Sequence, residues 1–207
     1  MNKKEKLALF LGMLSGDGCL PIKHNGKGYR DYAIQFYNTN KEIVELFNKL
    51  FFELFKTNGK IHVEERKKSK RKDLFSICKY SKEIYNYIKE LGFPEGIKKD
   101  KLKVLEIINY SKEKEKLAFI KGFLITDGCI RKNKTIIFHS GSKRFLEDLS
   151  ALISEIIGIT KPIREFVQRE IYRSYQLNLN KQEAKIMLSQ MPTWDNGNPA
   201  ALSSYTR

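Results

Sequence analysis

Residues 7–20, LALFLGMLSGDGCL, recur as LAFIKGFLITDGCI at 117–130, which sets Asp17 and Asp127 at matching places 110 residues apart. A repeat at that spacing in a chain of 207 residues predicts two similar half-domains rather than a solenoid of short units. Each copy reads as an amphipathic helix of apolar residues ending in Asp-Gly. Ala8, Gly12 and Gly16 fall four apart, as do Ala118, Gly122 and Thr126, so each helix carries a narrow stripe of small side chains. With no large side chain to hold the axes apart, two such stripes let helix backbones approach closely. The simplest arrangement packs the two helices on each other about a pseudo-two-fold axis.

The acids then meet. Each Asp ends its helix, where the macrodipole is already negative and a carboxylate is unfavourable. The glycine that follows suits a helix C-cap. Helices paired along their small faces would set Asp17 and Asp127 side by side, and a divalent cation would compensate the accumulated charge. Carboxylate and carbonyl oxygens suit a hard ion, Mg²⁺ first and Mn²⁺ or Ca²⁺ next. Ions held in that way can activate water and stabilise a leaving oxygen in phosphodiester cleavage.

The charge balance agrees with such a substrate. Lys and Arg number 39 against 24 Asp and Glu, a formal charge of +15, which points to a polyanion, nucleic acid before an anionic membrane. No run approaches the roughly 20 apolar residues of a membrane span. The N-terminal segment breaks into Ser-Gly-Asp-Gly too early for a signal peptide, so a soluble cytoplasmic protein is expected. Cys19, Cys78 and Cys129 are odd in number and widely spaced, which predicts free thiols rather than a disulfide framework or a zinc site.

Periodicity fills in the halves. A helix over 3–16 is followed by strands at 19–23 and 29–37, split by the turn-rich 25–28. A helix capped by Asn40 comes next, then strands at 60–66 and 73–80 joined by the basic run 67–72, and a helix capped by Ser81 and stopped by Gly92. The second half repeats this order. Strands lie near Ile130 and at 135–139, a helix starts at Ser142, strands follow at 162–168 and 172–178, and a last helix runs 181–190. A charged connector, partly helical through Leu102, Leu105 and Ile108, links the halves, and the tail beyond Met191 reads as irregular.

The segments 10–18, FLGMLSGDG, and 120–128, IKGFLITDG, resemble the two motifs of a single-chain LAGLIDADG homing endonuclease. The resemblance extends to the element order of each half and departs from the family pattern at Ser15, Ile125 and Thr126, the last expected to loosen the helix contact slightly. It implies an α+β fold of two pseudo-symmetric αββαββα half-domains packed through their motif helices, each with a four-stranded antiparallel DNA-binding sheet. The divisions are 1–93, a connector 94–113, 114–190 and a tail 191–207. It further implies a monomeric, intron-encoded, metal-dependent nuclease that cuts double-stranded DNA at a long site. Mg²⁺ is the expected cofactor, with Mn²⁺ substituting and Ca²⁺ binding without supporting cleavage. A non-cleaving protein on the same scaffold, an intron RNA maturase or a regulator, is the alternative. A self-splicing element is not expected, because the chain opens on Met1 and closes on Thr206-Arg207 rather than on a nucleophile and a His-Asn pair.

The resemblance also assigns residues. Asp17 and Asp127, with the carbonyls of Gly16 and Thr126, are the expected metal ligands. Asn38 is a candidate water positioner, with Ser140 its weaker counterpart. Lys98, with Lys99 close behind, would stabilise transition-state charge. The stretch after the last helix holds no matching lysine, so one strand is expected to be cut faster; Trp194, in that stretch, reads as a packing residue. Strand alternation then selects the side chains facing DNA. They are Lys23, Tyr29, Asp31, Gln35, Tyr37, Lys60, His62, Glu64 and Arg66 in the first half, with Lys68, Lys70 and Arg71 gripping phosphates at the hairpin tip. In the second half they are Arg131, Thr135, His139, Ser174, Gln176 and Asn178.

Overall fold

The computed structural model describes residues 1–24, 30–66, 72–168 and 172–192. The first half runs α1 (Lys3–Asp17), β1 (Gly18–Cys19), β2 (Lys23–His24), β3 (Arg30–Asp31), β4 (Ala33–Asn38), α2 (Lys41–Phe55), β5 (Ile61–Glu64), β6 (Leu74–Tyr80) and α3 (Lys82–Glu90). A connector containing the short α4 (Glu106–Asn109) leads to α5 (Glu113–Asp127), β7 (Gly128–Ile130), β8 (Ile136–Ser140), α6 (Lys143–Ile157), β9 (Ile163–Gln168), β10 (Tyr172–Leu179) and α7 (Lys181–Gln190). Two antiparallel four-stranded sheets form, in the orders β1-β4-β6-β5 and β7-β8-β10-β9. The α+β architecture of two matching halves is the one the repeat implies.

The helices start where side chains can satisfy their orphan amides. Asn2 and Glu5 form a capping box on α1, and Asn180 and Glu183 form one on α7. Asn40, Ser81 and Ser142 cap α2, α3 and α6. Gly18 and Gly128 cap α1 and α5 as expected, their amides donating to Leu14 O and Leu124 O, and both are extended, at φ −98°, rather than left-handed. They are glycines because a Cβ would meet Leu14 Cδ1 at 2.3 Å or Leu124 Cδ1 at 2.5 Å as each helix passes straight into a strand.

Two expected strands divide. The run 19–23 breaks at Leu20, since Pro21 offers no N–H to continue a ladder. Leu20 instead bridges Glu95 in parallel and accepts from the Gly96 amide at 2.8 Å. The run 29–37 breaks at Tyr32, whose carbonyl accepts from Ser81 N at 3.0 Å and whose ring meets Tyr85 edge-on at 5.4 Å. The hairpin tips and the tail, including Tyr29, Lys68, Lys70, Arg71 and Trp194, lie outside the described residues.

α1 and α5 are not the amphipathic helices expected but apolar around nearly their whole circumference, because protein encloses them on all sides. Residues 8–15 and 117–125 are buried without a break. Aromatic rings join these helices to the sheets. Phe36 of β4 stacks on Phe47 of α2 at 4.1 Å, and Phe47 on Phe10 at 4.8 Å. In the second half Phe123 packs on Phe145 at 4.6 Å and on Phe138 at 6.1 Å. The connector ties the halves together. After its bridge to Leu20 it reaches α6, where Ser142 Oγ donates to Leu102 O at 2.8 Å and Asp148 accepts from Val104 N at 3.1 Å.

Candidate active site between the motif helices

The small stripes do meet. A Cβ built on Gly12 would lie 2.1 Å from Phe119 O, and one on Gly122 would lie 2.2 Å from Leu9 O, so each glycine is in contact with the other helix's backbone. At the next turn a Cβ on Gly16 would strike Thr126 Oγ1 at 2.0 Å. Thr126 is thus accommodated by the bare Cα of Gly16, and its hydroxyl turns back to donate to Gly122 O and Phe123 O, at 3.2 and 3.1 Å. That Cβ position is also 3.5 Å from Asp127 Cγ, which shows how closely the α5 acid approaches the end of α1.

Around Asp17 the site is well held. Asn38 Nδ2 donates to Asp17 Oδ2 at 2.5 Å, while Asn38 Oδ1 accepts from Asn40 N at 2.7 Å, so both ends of the amide are engaged. Asn38 therefore orients the carboxylate. Ser140, at the matching place, accepts from Ser142 N at 3.1 Å.

Lys98 reaches in from the connector. Its Nζ donates to Leu14 O at 3.2 Å, to Ser15 O at 2.7 Å and, in a very short contact, to Gly16 O. The last turn of α1 has no basic residue of its own, and Lys98 supplies the cation that a helix C-terminus favours. Burial pulls its ammonium below the ordinary lysine value, and Asp127, Asp17 and Cys19 oppose that shift in that order. Lys99 points elsewhere. Its stem packs on Gly141 of the second half, where a Cβ would lie 2.9 Å from Lys99 Cγ, and the residue is exposed.

These oxygens fit a hard divalent ion. Among the described residues no group of three or more His, Cys, Asp or Glu is placed to hold a metal ion, and an ion here would draw on the two carboxylates and main-chain carbonyls. Mg²⁺ commonly takes one or two carboxylates and completes its shell with water and substrate phosphate.

The outer sheet faces carry the remaining candidates. Tyr37, Lys60, His62, Glu64, Arg131 and His139 are exposed; Arg66, Thr135, Ser174, Gln176 and Asn178 are half-buried. Lys23 and Asp31 pair through their backbones across β2 and β3. Gln35 is only 8 % exposed, held among neighbours on its rung. Its Oε1 accepts from Tyr37 OH at 2.7 Å and from Cys19 Sγ at 3.8 Å, and its Nε2 donates to Cys78 Sγ at 3.5 Å. Burial, with Cys19, Cys78 and Tyr80 nearby, raises the Tyr37 pKa. The equivalent rung of the second sheet is Cys129, Ile137 and Asn178. Ile137 has no polar atom to offer, and Asn178 Oδ1 is buried without a partner.

Three positions escaped the sequence reading. Tyr80 is 63 % exposed on the outer face of β6, and Arg164 lies opposite Gln176 on β9. Neither strand alternates cleanly, because Leu74 and Phe75, or Phe166 and Val167, place apolar residues on both faces. Lys121 is the third. It occupies the place of Leu11 in the other motif, is 3 % exposed, and donates from Nζ to Pro192 O at 2.5 Å. Burial lowers its pKa to about 8.

Comparison with known proteins is consistent with this geometry. Residues 114–190 match the LAGLIDADG-like domain family. The chain is 30 % identical over 162 residues to a subunit of the A-type ATP synthase of Pyrococcus abyssi, a match covering 78 % of the chain. It spans 14 % of the length of the curated relatives it matches. Among solved structures, I-DmoI in complex with DNA and Ca superposes with a TM-score of 0.71 at 19 % identity, covering 99 % of this chain and 98 % of that one. The homing endonuclease I-WcaI bound to its DNA recognition sequence gives 0.63 at 14 % identity, covering 99 % and 83 %. At such identities the superpositions establish the shared fold.

Proposed function

Since the chain belongs to the LAGLIDADG family, in the form that carries both motifs on one polypeptide, we propose that it is a site-specific DNA endonuclease that hydrolyses phosphodiester bonds of duplex DNA as a monomer. The observation that carries this reading is the convergence of Asp17 and Asp127 at the ends of two helices whose glycines touch. I-DmoI, which shares this fold, was crystallised with DNA and with Ca, Mn or Mg, and the same ions suit the oxygens here. Asp17 and Asp127, with the carbonyls of Gly16 and Thr126, would hold the metal. When bound it supplies Lewis acidity and an activated water for in-line attack at phosphorus.

The chain's own groups do the rest. Asn38 fixes the Asp17 carboxylate by donating to Oδ2, so the acid is oriented before DNA arrives. Lys98 brings a positive charge between the acids, where charge develops on the transferred phosphate oxygens. Exposed Lys60, His62, Arg131 and His139 on the two outer faces offer contacts to bases and backbone. No helix among the described residues is long and apolar enough to cross a membrane, and the excess of cationic residues serves a nucleic acid.

The experiment is cleavage, with Mg²⁺, of a duplex carrying the DNA that flanks the gene joined without interruption. Scission at one locus is the expected result. Binding without scission, indifferent to Asp17→Asn and Asp127→Asn, would instead establish a non-cleaving binding protein on this scaffold.

A further inference from the structure

We infer that Phe166 is a specificity residue of the second half: its ring contacts the C5 methyl of a thymine, so that one half-site requires a thymine at a place where the other does not. The inference rests on the DNA-binding reading above and goes beyond it in naming a base. Strand register fixes the side on which Phe166 lies. In the second sheet Ile163 pairs with Leu177, and Leu177 with Phe138, all three packed in the core. Because side chains alternate along a strand, Arg164 and Phe166 on β9 share the outer face with Ser174 and Gln176 on β10 and with His139 on β8. Val167 takes the opposite side, in register with Arg173.

Phe166 stands out on that face. Its ring is 41 % exposed, while its register partner Ser174 and its neighbours Arg164 and Gln176 are polar. An apolar ring in such a setting gains by covering an apolar group of a ligand. In the major groove only thymine offers one, the C5 methyl, and phenylalanine is among the side chains that meet it by apolar contact. Cytosine, the other pyrimidine, carries only hydrogen at C5.

The first half is built differently at the matching place. The rung of Tyr37, Ser76 and His62 corresponds to that of His139, Gln176 and Arg164, and two residues further along the outer strand Glu64 stands where Phe166 does. Glu64 accepts from Arg66 Nε at 3.0 Å and from its Nη2 at 3.4 Å, so an ion pair occupies the position instead of a ring. Leu74, across from Glu64, lies on the inner strand and is half-buried. The methyl contact therefore belongs to the second half-site.

The test is selection of duplexes from a randomised pool by the whole protein with Ca²⁺, followed by equilibrium binding of the selected duplex with deoxyuridine placed at each thymine in turn, which removes the methyl and keeps the pairing. At one thymine of one half-site the exchange should weaken binding by about fourfold, the worth of one buried methyl. Phe166→Ser should bind the thymine and uracil duplexes equally, whereas Phe166→Leu keeps an apolar contact and should keep the discrimination. A selected site without a fixed thymine, a parent indifferent to the exchange at every thymine, or undiminished discrimination by Phe166→Ser would overturn the inference and leave the DNA-binding reading in place. Enrichment of no duplex by the parent would overturn that reading as well.

Discussion

Lys121 shows how much one buried charge can matter within a repeat. Its counterpart Leu11 is fully buried and apolar, yet the second helix places an ammonium at the same depth. Its folded pKa of about 8 lies below the unfolded lysine value, so the folded state releases this proton first as pH rises. Between about pH 8 and 10.5 the unfolded chain then binds more protons, and stability rises with pH through that window. The cost of the charge is fully present below pH 8. We expect Lys121→Leu to be more stable than the parent at pH 7, by roughly 1–3 kcal/mol, and the difference in melting temperature to shrink as pH rises toward 10. A gap that is constant with pH would mean that the ammonium is not the source. The sequence displayed this lysine inside an apolar motif but not its depth, because which side of a motif helix is enclosed depends on tertiary packing. The acids were legible for the opposite reason. A carboxylate at a helix C-terminus opposes the local field, and that conflict is visible in the sequence alone.

At the scale of elements, the contact between α1 and α5 was fully readable, since only glycine, alanine and threonine could line a backbone-to-backbone seam. The structure adds how the seam tolerates its odd member: Thr126 occupies the space that Gly16 leaves empty. Gly122→Ala should cost about 3 kcal/mol or more, because its methyl would lie 2.2 Å from Leu9 O, a main-chain atom that cannot swing aside. Gly16→Ala meets a side chain instead, so Thr126→Ala should rescue it. A double-mutant cycle by thermal or denaturant unfolding should give a coupling of about 1–3 kcal/mol; additive losses would place the clash elsewhere. The strand divisions at Leu20 and Tyr32 were not readable. The partners that interrupt them, Glu95 with Gly96 and Ser81 with Tyr85, are distant in sequence. The glycines after the two acids cap their helices as the sequence suggests, but what demands glycine there is steric, set by Leu14 and Leu124, and that is a matter of packing.

For the whole molecule, pseudo-symmetry and its failures define the account. Two halves, two sheets and two acids repeat, while Asn38 is matched in the second half by Ser140 and Gln35 by Ile137, and Lys98 has no lysine at its matching place. The connector enforces the difference by crossing from Leu20 to α6 and delivering Lys98 to α1 on the way. The two strands of a target duplex should therefore be cut at unequal rates, and a nicked intermediate should accumulate in a supercoiled plasmid carrying the site; simultaneous linearisation without it would contradict the asymmetry. The claim on which all of this depends is that Asp17 and Asp127 act as one composite site. Single-turnover cleavage with saturating enzyme and Mg²⁺ tests it directly: Asp17→Asn and Asp127→Asn should each lower the rate by at least about a hundredfold while leaving DNA binding intact, and cutting at the parental rate by either variant would contradict it.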